Sequence, residues 1–209
     1  AKEVHDIAVK TFGKSGHVIV CGYGRSGQNL ARLLEAEGIS LVALDADPER
    51  IRAVAASGVS VVYGDASRRE VLVAAGLSRA QAVVVTYSDV HSSMAILRHV
   101  RELKPELPVV VRTIDDTHID ALKAAGAAEV VSEVMEGSLM LASHALMLVG
   151  VPLSRVLKRV RDVRETRYAM MRGFFRGASD ADDELDQHAQ PRLNTVLITQ
   201  GAVAAGHTL

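Results

Sequence analysis

Between Gly16 and about Val131, six short apolar runs alternate with longer stretches of helical spacing, and no other feature restricts the fold as much. The runs are HVIVC (17–21), ISLVALD (39–45), VSVVYGD (59–65), AVVVTYS (82–88), LPVVVRT (107–113) and the shorter AEVVS (128–132). A strand that is apolar on both faces must be covered on both, as in a parallel sheet sandwiched by helices. The intervening segments, QNLARLLEAEG and HIDALKAAG among them, have helical spacing, and four of the five end in Gly, which suits a helix C-terminus. Asp89 and Asp115 stand where the fourth and fifth of these helices should begin, as N-cap residues would. The expectation is an α/β fold with a doubly wound parallel sheet.

The strongest local signal is Gly22-Tyr23-Gly24-Arg25-Ser26-Gly27, which follows the first run directly and opens the first helix. Alone, G-x-G-x-x-G is weak; between a strand and a helix it has a mechanism. The first Gly allows a tight turn, the second lets a pyrophosphate approach the backbone, and the third lets helix and strand pack closely. The helix N-terminus then offers unpaired N–H groups and a positive dipole to the phosphates. Asp45 lies eighteen residues after Gly27, at the end of the second run, where a carboxylate accepts from ribose hydroxyls. The same charge disfavours a 2′-phosphate; no Arg follows at once, although Arg50 is five residues on, so NAD or a simple adenine nucleotide is expected over NADP. Arg25, inside the loop, is placed to donate to a phosphate.

Composition narrows the function. Lys and Arg number 24 against 25 Asp and Glu, a net charge of −1, which argues against a nucleic-acid footprint over the surface. Aromatic residues are 3% of the chain with no Trp, so a base-stacking platform is not expected either. Cys21 is the single cysteine, so there is no intrachain disulfide and no Cys-rich zinc site. His91 and His118 lie just past the carboxyl ends of strands, but both read better as helix-start or surface residues than as bases. No G-x-S-x-G elbow, P-loop lysine motif or other catalytic constellation is present.

Outside the alternating region the chain changes character. Residues 1–15 read as a linker from a preceding region, with Val4, Ile7, Ala8 and Phe12 spaced as in a short helix descending from a membrane part. The region 16–135 is the dinucleotide-binding, Rossmann-like domain. Residues 136–176 read as an apolar helix, a Gly150-Val151-Pro152 break and a second, amphipathic helix with a basic side. The stretch from Gly137 to Ser154 carries no charge; Ser138, Ser143, His144, Gly150 and Pro152 argue against a membrane span, and the expectation is a buried helix at an interface. An acidic linker (177–190) precedes a final segment (191–209) that begins like a strand and points to a further domain.

GHVIVCGYGRSGQNLARLLEAEG, VALDADPERI and VVYGDASRREVLVAAGL together resemble the RCK/KTN (TrkA-N type) domains that regulate potassium channels and transporters. The resemblance is greatest to the cytoplasmic domains of Kef-type potassium efflux and cation:proton antiporters. It covers residues 16–150 and extends into LMLVGVPLSRVLKRVRDVRETRY, which is similar to the helical arm those domains use for dimer contacts. The end, RLNTVLITQGAVAAGHTL, resembles the opening of an RCK_C (TrkA-C) domain.

The resemblance implies a site and a role. Gly22, Gly24, Gly27 and Arg25 would meet the phosphates, Asp45 would hold the ribose, Asp65 and Ala66 would flank the adenine, and Thr86 would line the same crevice, with Arg112 a weaker candidate. The ligand would be NAD(H), AMP, ADP or ATP, sensed and not turned over. The implied protein is a homodimeric regulatory domain on the cytoplasmic side of a bacterial inner membrane, joined to a transmembrane cation:proton antiporter domain of the same chain. A peripheral Trk-type uptake subunit, an NAD-dependent oxidoreductase domain and an assembly module with a vestigial site are the alternatives. Family members gated by glutathione carry an Asn where the alignment has Ser93, so the resemblance does not carry glutathione control over.

Overall fold

The computed structural model describes residues 2–55 and 61–167. The chain divides after Arg164 into two units, and of the second only the first residues are described. The acidic linker and the segment likened to an RCK_C domain lie outside the described residues.

Six strands form one parallel sheet: β1 (Val18–Cys21), β2 (Leu41–Asp45), β3 (Val61–Tyr63), β4 (Ala82–Val85), β5 (Val109–Thr113) and β6 (Glu129–Ser132). Their order is β3-β2-β1-β4-β5-β6. All five neighbouring pairs are parallel. The order reverses between β1 and β4, and at such a switch point the two flanking loops splay apart and open a crevice at the carboxyl ends. The crossover helices are α2 (Arg25–Ala36), α3 (Pro48–Ala55), α4 (Arg69–Ala74), α5 (Val90–Leu103) and α6 (Ile119–Ala124). Burial follows the sequence: every residue of β1 and β2 is buried. On one face Val18, Val20, Leu41, Ala43 and Val61 pack with Ala31 of α2, and Leu30, Leu34, Ile51 and Val54 of α2 and α3 close over them.

The helix starts differ at one point from expectation. Asp89 caps α5, accepting from the backbone N–H of His91 (3.0 Å) and Ser92 (3.2 Å). Asp115 does not cap α6. Its carboxylate instead accepts from Thr117 N–H at 3.0 Å within a turn, and the helix begins a turn later with His118 at the N-cap position.

The N-terminal segment is a helix, α1 (Lys2–Thr11), packed on α4 and β3. Ile7 is fully buried, Thr11 Oγ1 reaches Ala74 O at 2.6 Å, and Glu3 accepts from Asp65 N–H at 3.3 Å and pairs with Arg68 at 3.5 Å. A Cβ on Gly64 would meet Ile7 Cδ1 at 2.8 Å, so this glycine serves the seating of α1. After β6, Ser132 caps α7 (Glu133–Leu148). Gly150, at φ +86°, ends it in a Schellman motif with bonds Gly150 N–Met147 O and Val151 N–Leu146 O. Pro152 then opens α8 (Leu153–Arg167), and Arg164 Nε returns to Glu136 Oε1 at 3.3 Å. Within the one chain α7, which holds most of the charge-free stretch expected to be buried at an interface, buries none of its residues, and Leu141 and Leu148 are 73% and 88% exposed. A helix apolar all round satisfies itself by burial on every side, and here this chain supplies little of it.

Candidate functional site

The crevice forms around the turn after β1. Gly22 N–H continues the ladder to Leu44 O (2.8 Å) and then turns away at φ +103°, where a Cβ would collide with Thr86 Oγ1. Thr86 follows β4; its backbone N–H donates to Cys21 O (2.9 Å) and its hydroxyl to Gly22 O (2.9 Å), which locks the two loops at the switch point. Gly27 is buried one turn into α2, and a Cβ there would overlap Gly22 O. Its role is close packing, as the spacing predicts.

Gly24 is different. Its φ of −71° suits any residue, and a Cβ would meet nothing within 4 Å. Neither conformation nor packing requires glycine there. Gly24 is the N-cap position of α2 and, having no side chain, makes no cap hydrogen bond, and Gly24, Arg25 and Ser26 line the crevice at that helix start. A cradle that a Cβ would intrude on, at an uncapped helix start, is the arrangement that receives a phosphate.

The cavity beside it, about 530 Å³, is lined by Gly22, Gly24, Arg25, Ser26, Arg50, Thr86, Tyr87, Ser88, Arg112 and Glu133. The structure thus brings together Gly22, Gly24, Arg25, Thr86 and Arg112 of the residues singled out in the sequence. Arg25, the first residue of α2, is exposed at the mouth. Arg112, on β5, grips Glu133 at two points (Nε–Oε1 2.6 Å, Nη2–Oε2 2.8 Å) and donates to Thr86 O at 2.6 Å. That two-point hydrogen bond holds the Glu133 carboxyl below its usual range.

Asp45 ends β2 and is 2% exposed. Its Oδ2 accepts from Tyr23 N–H (2.7 Å) and its Oδ1 from Asp47 N–H (2.8 Å). The carboxylate therefore fixes the glycine-rich loop, and it stands behind the cavity without lining it. Arg50, which the sequence shows only as a distant arginine, reaches back to Asp45 Oδ2 at 2.9 Å. Asp65 and Ala66 sit on the neighbouring loop after β3 and do not line the cavity. The Asp65 carboxylate is turned into that loop, accepting from Ser67 N–H (2.9 Å) and Ser67 Oγ (2.7 Å), and Ala66 is fully buried.

Sequence reasoning missed the lining residues Ser88, Glu133 and, most buried of the three, Tyr87. Its ring would lie 3.2 Å from a Cβ on Gly22, and burial above all, with the carboxylates of Asp45 and Asp65 adding to it, raises its phenol well above the usual range. A tyrosine directly after a strand, in a chain with four, was the available signal. Cys21 lies beneath, fully buried, its thiol pushed up to about 12 by that burial. Ser93 is buried on α5, its hydroxyl 3.2 Å from Asp89 O. Among the described residues no group of three or more His, Cys, Asp or Glu is placed to hold a metal, and no helix is long and apolar enough to cross a membrane.

Comparison with known proteins gives this geometry a family. The TrkA-N domain model matches residues 18–133, β1 through the first residue of α7. The chain belongs to the TrkA-N family. It is 37% identical over 201 residues to a protein of Alkalimonas amylolytica named as the K(+) efflux antiporter KefB, covering 96% of this chain and 30% of that protein. It is 32% identical over 163 residues to the glutathione-regulated potassium-efflux system protein KefC of Salmonella paratyphi B, covering 78% and 26%. Its TrkA-N fold also matches the Shewanella denitrificans Kef C-terminal domain in AMP-bound form, with a TM-score of 0.64 and 29% identity over 75% of this chain and 96% of that one. The chain spans less than a third of the length of each of these two relatives.

Proposed function

We propose that this TrkA-N chain is the regulatory domain of a Kef-type potassium efflux antiporter and senses an adenine nucleotide in the crevice between β1 and β4. The observation that carries the reading is Gly24, a glycine that neither the backbone nor the packing requires, at the uncapped start of α2. The phosphate meets the α2 amides and Arg25; the ribose faces Asp45; Thr86 and Tyr87 form the floor; Asp65 and Ala66 flank the adenine from the next loop. AMP in the Shewanella domain supports the ligand class, and ADP, ATP and NAD(H) share the adenosine phosphate that this half of the crevice addresses. In this reading the site binds and does not catalyse, and Glu133, the carboxylate that lines it, is engaged at two points by Arg112.

Ligand binding regulates by favouring one arrangement of two copies over another, and by no more than its difference in affinity for the two. The copies pair through α7 and α8, whose exposed apolar side chains support this role. The domain lies on the cytoplasmic side of a bacterial inner membrane, joined to the transporter part of the same chain.

The test is thermal stability of the chain against AMP, ADP, ATP, NAD and NADH, in wild type and Gly24→Ala. A ligand at about 100 times its dissociation constant stabilises the fold by roughly 2.7 kcal/mol. Gly24→Ala should leave the unliganded midpoint unchanged, because its Cβ meets nothing, and should abolish the ligand shift. No shift with any nucleotide in the wild type would remove the sensing role.

A further inference from the structure

We propose that Arg50 competes with the ribose for Asp45 and thereby sets how strongly the crevice recognises the 2′-hydroxyl. The inference rests on the nucleotide reading above and deepens it.

A carboxylate offers about four acceptor positions, two on each oxygen. On Asp45 three are taken: Tyr23 N–H and Arg50 Nη1 on Oδ2, and Asp47 N–H on Oδ1. A ribose diol donates twice, so it needs two free positions and finds one. Two of the three resident donors cannot withdraw. Tyr23 N–H belongs to the glycine-rich loop, which Thr86 and Leu44 pin at Gly22, and Asp47 N–H belongs to the turn into α3. Arg50 can withdraw. Its side chain is 41% exposed and lines the crevice, whereas the Asp45 side chain behind it is 3% exposed and does not.

The turn before α3 explains why the arginine sits there. Asp47 accepts from Glu49 N–H at 3.0 Å and so caps α3, with Pro48 in the first helical position that suits it. The first turn of α3 then carries Arg50 back over the end of β2. A second anchor is at hand, since Arg50 Nη2 lies 3.5 Å from Asp47 Oδ2. The guanidinium can leave Asp45 and keep a carboxylate partner at Asp47. One acceptor position on Asp45 Oδ1 stays open throughout, enough for a sugar with a single hydroxyl on that edge. The cost of displacing Arg50 therefore falls on a diol and spares a deoxyribose.

This difference is measurable without reference to the phosphate, whose attraction to Arg50 is common to both sugars. Dissociation constants for AMP and 2′-deoxy-AMP are measured by calorimetry on the wild-type chain and on Arg50→Gln. Each protein gives a ratio of the deoxy constant to the ribo constant. The wild-type ratio should be near one, because the 2′-hydroxyl must first displace Arg50. In Arg50→Gln it should rise about two- to fivefold, the worth of a partly exposed charge-assisted pair. A ratio that is unchanged refutes the competition. A ratio that falls refutes it too, and makes Arg50 a direct partner of the 2′-hydroxyl. If neither sugar binds the wild-type chain, the nucleotide reading itself fails and the inference goes with it. Binding of both with an unmoved ratio overturns the inference alone.

Discussion

Every residue of β1 and β2 is buried, whereas α7, of sixteen residues, buries none. Both stretches are nearly free of charge, so composition does not separate them. Connection does. The strands are hydrogen-bonded to parallel neighbours and covered by crossover helices of the same chain, so their apolar surface is removed from water inside one molecule. α7 leaves the sheet edge after β6 and meets α8 on one side, where Val156 is 1% exposed. The rest of its surface, from Met140 and Leu141 to Leu148 and Val149, faces outward. Apolar surface is worth roughly 25 cal/mol per Å² when buried. The sheet collects that stabilisation alone; under the proposed pairing, the arm would collect it on meeting a second copy.

Three variants probe this contrast. The largest effect is expected at Gly27, where the sheet region is least able to adjust. A Cβ there would overlap the Gly22 carbonyl, and both partners are backbone. Gly27→Ala should destabilise the fold by about 3 kcal/mol or more, read as a lower urea midpoint. Gly24→Ala, three residues earlier in the same loop, should leave that midpoint alone. If the two alanines cost the same, the glycines share one role and the division between packing and ligand is wrong.

The arm should behave in the opposite way. Leu141→Asp combined with Leu148→Asp alters two side chains that stand in solvent within one chain. Surface changes of this kind usually stay within about 0.5 kcal/mol, so the unfolding free energy per chain should hold. Association should not hold: sedimentation equilibrium should give a dimer for the wild type and a monomer for the double variant. A wild type that is monomeric at all concentrations removes the pairing role. A loss above about 2 kcal/mol per chain would mean that α7 packs within the molecule after all.

What the sequence made legible follows the same line. Elements set by residue type and spacing within one segment were readable: the Asp89 cap, the glycine that turns at 22 and the Gly27 contact with Gly22. Elements that depend on the path of a turn, or on where another segment arrives, were not. Asp115 is as good a cap by type as Asp89, but Thr117 N–H takes its carboxylate and α6 starts a turn later. Arg50 looked remote from Asp45, because five residues of separation hide the turn that folds one over the other. The seat of α1 on α4 needs Gly64 and Glu3 together, sixty-one residues apart, and no periodicity in 1–15 reports it. Asp65 and Ala66, which the resemblance places beside the adenine, stand on the loop after β3, where Asp65 bonds Ser67, while Tyr87 lines the crevice itself.

The smallest expected effect lies where the two regions join. Glu133 is the first residue of α7, and Arg112 ties it to β5 and to the Thr86 carbonyl at the crevice. The hydrogen bonds from Arg112 lower the folded-state pKa of Glu133 below its ordinary 4.5. The carboxylate thus contributes stability that is fully present above pH 4.5 and is lost as pH falls through the lowered value. Glu133 is 44% exposed, and solvent screening keeps a pair of this kind to about 1 kcal/mol or less. Glu133→Gln should therefore reduce the unfolding free energy at pH 7 by a few tenths of a kcal/mol, up to about 1. The gap between wild type and variant should narrow as the buffer is taken below pH 4.5. A gap that stays constant with pH would show that the glutamine disturbs the α7 start by its shape alone, and the charge would then contribute nothing to holding the arm on the sheet.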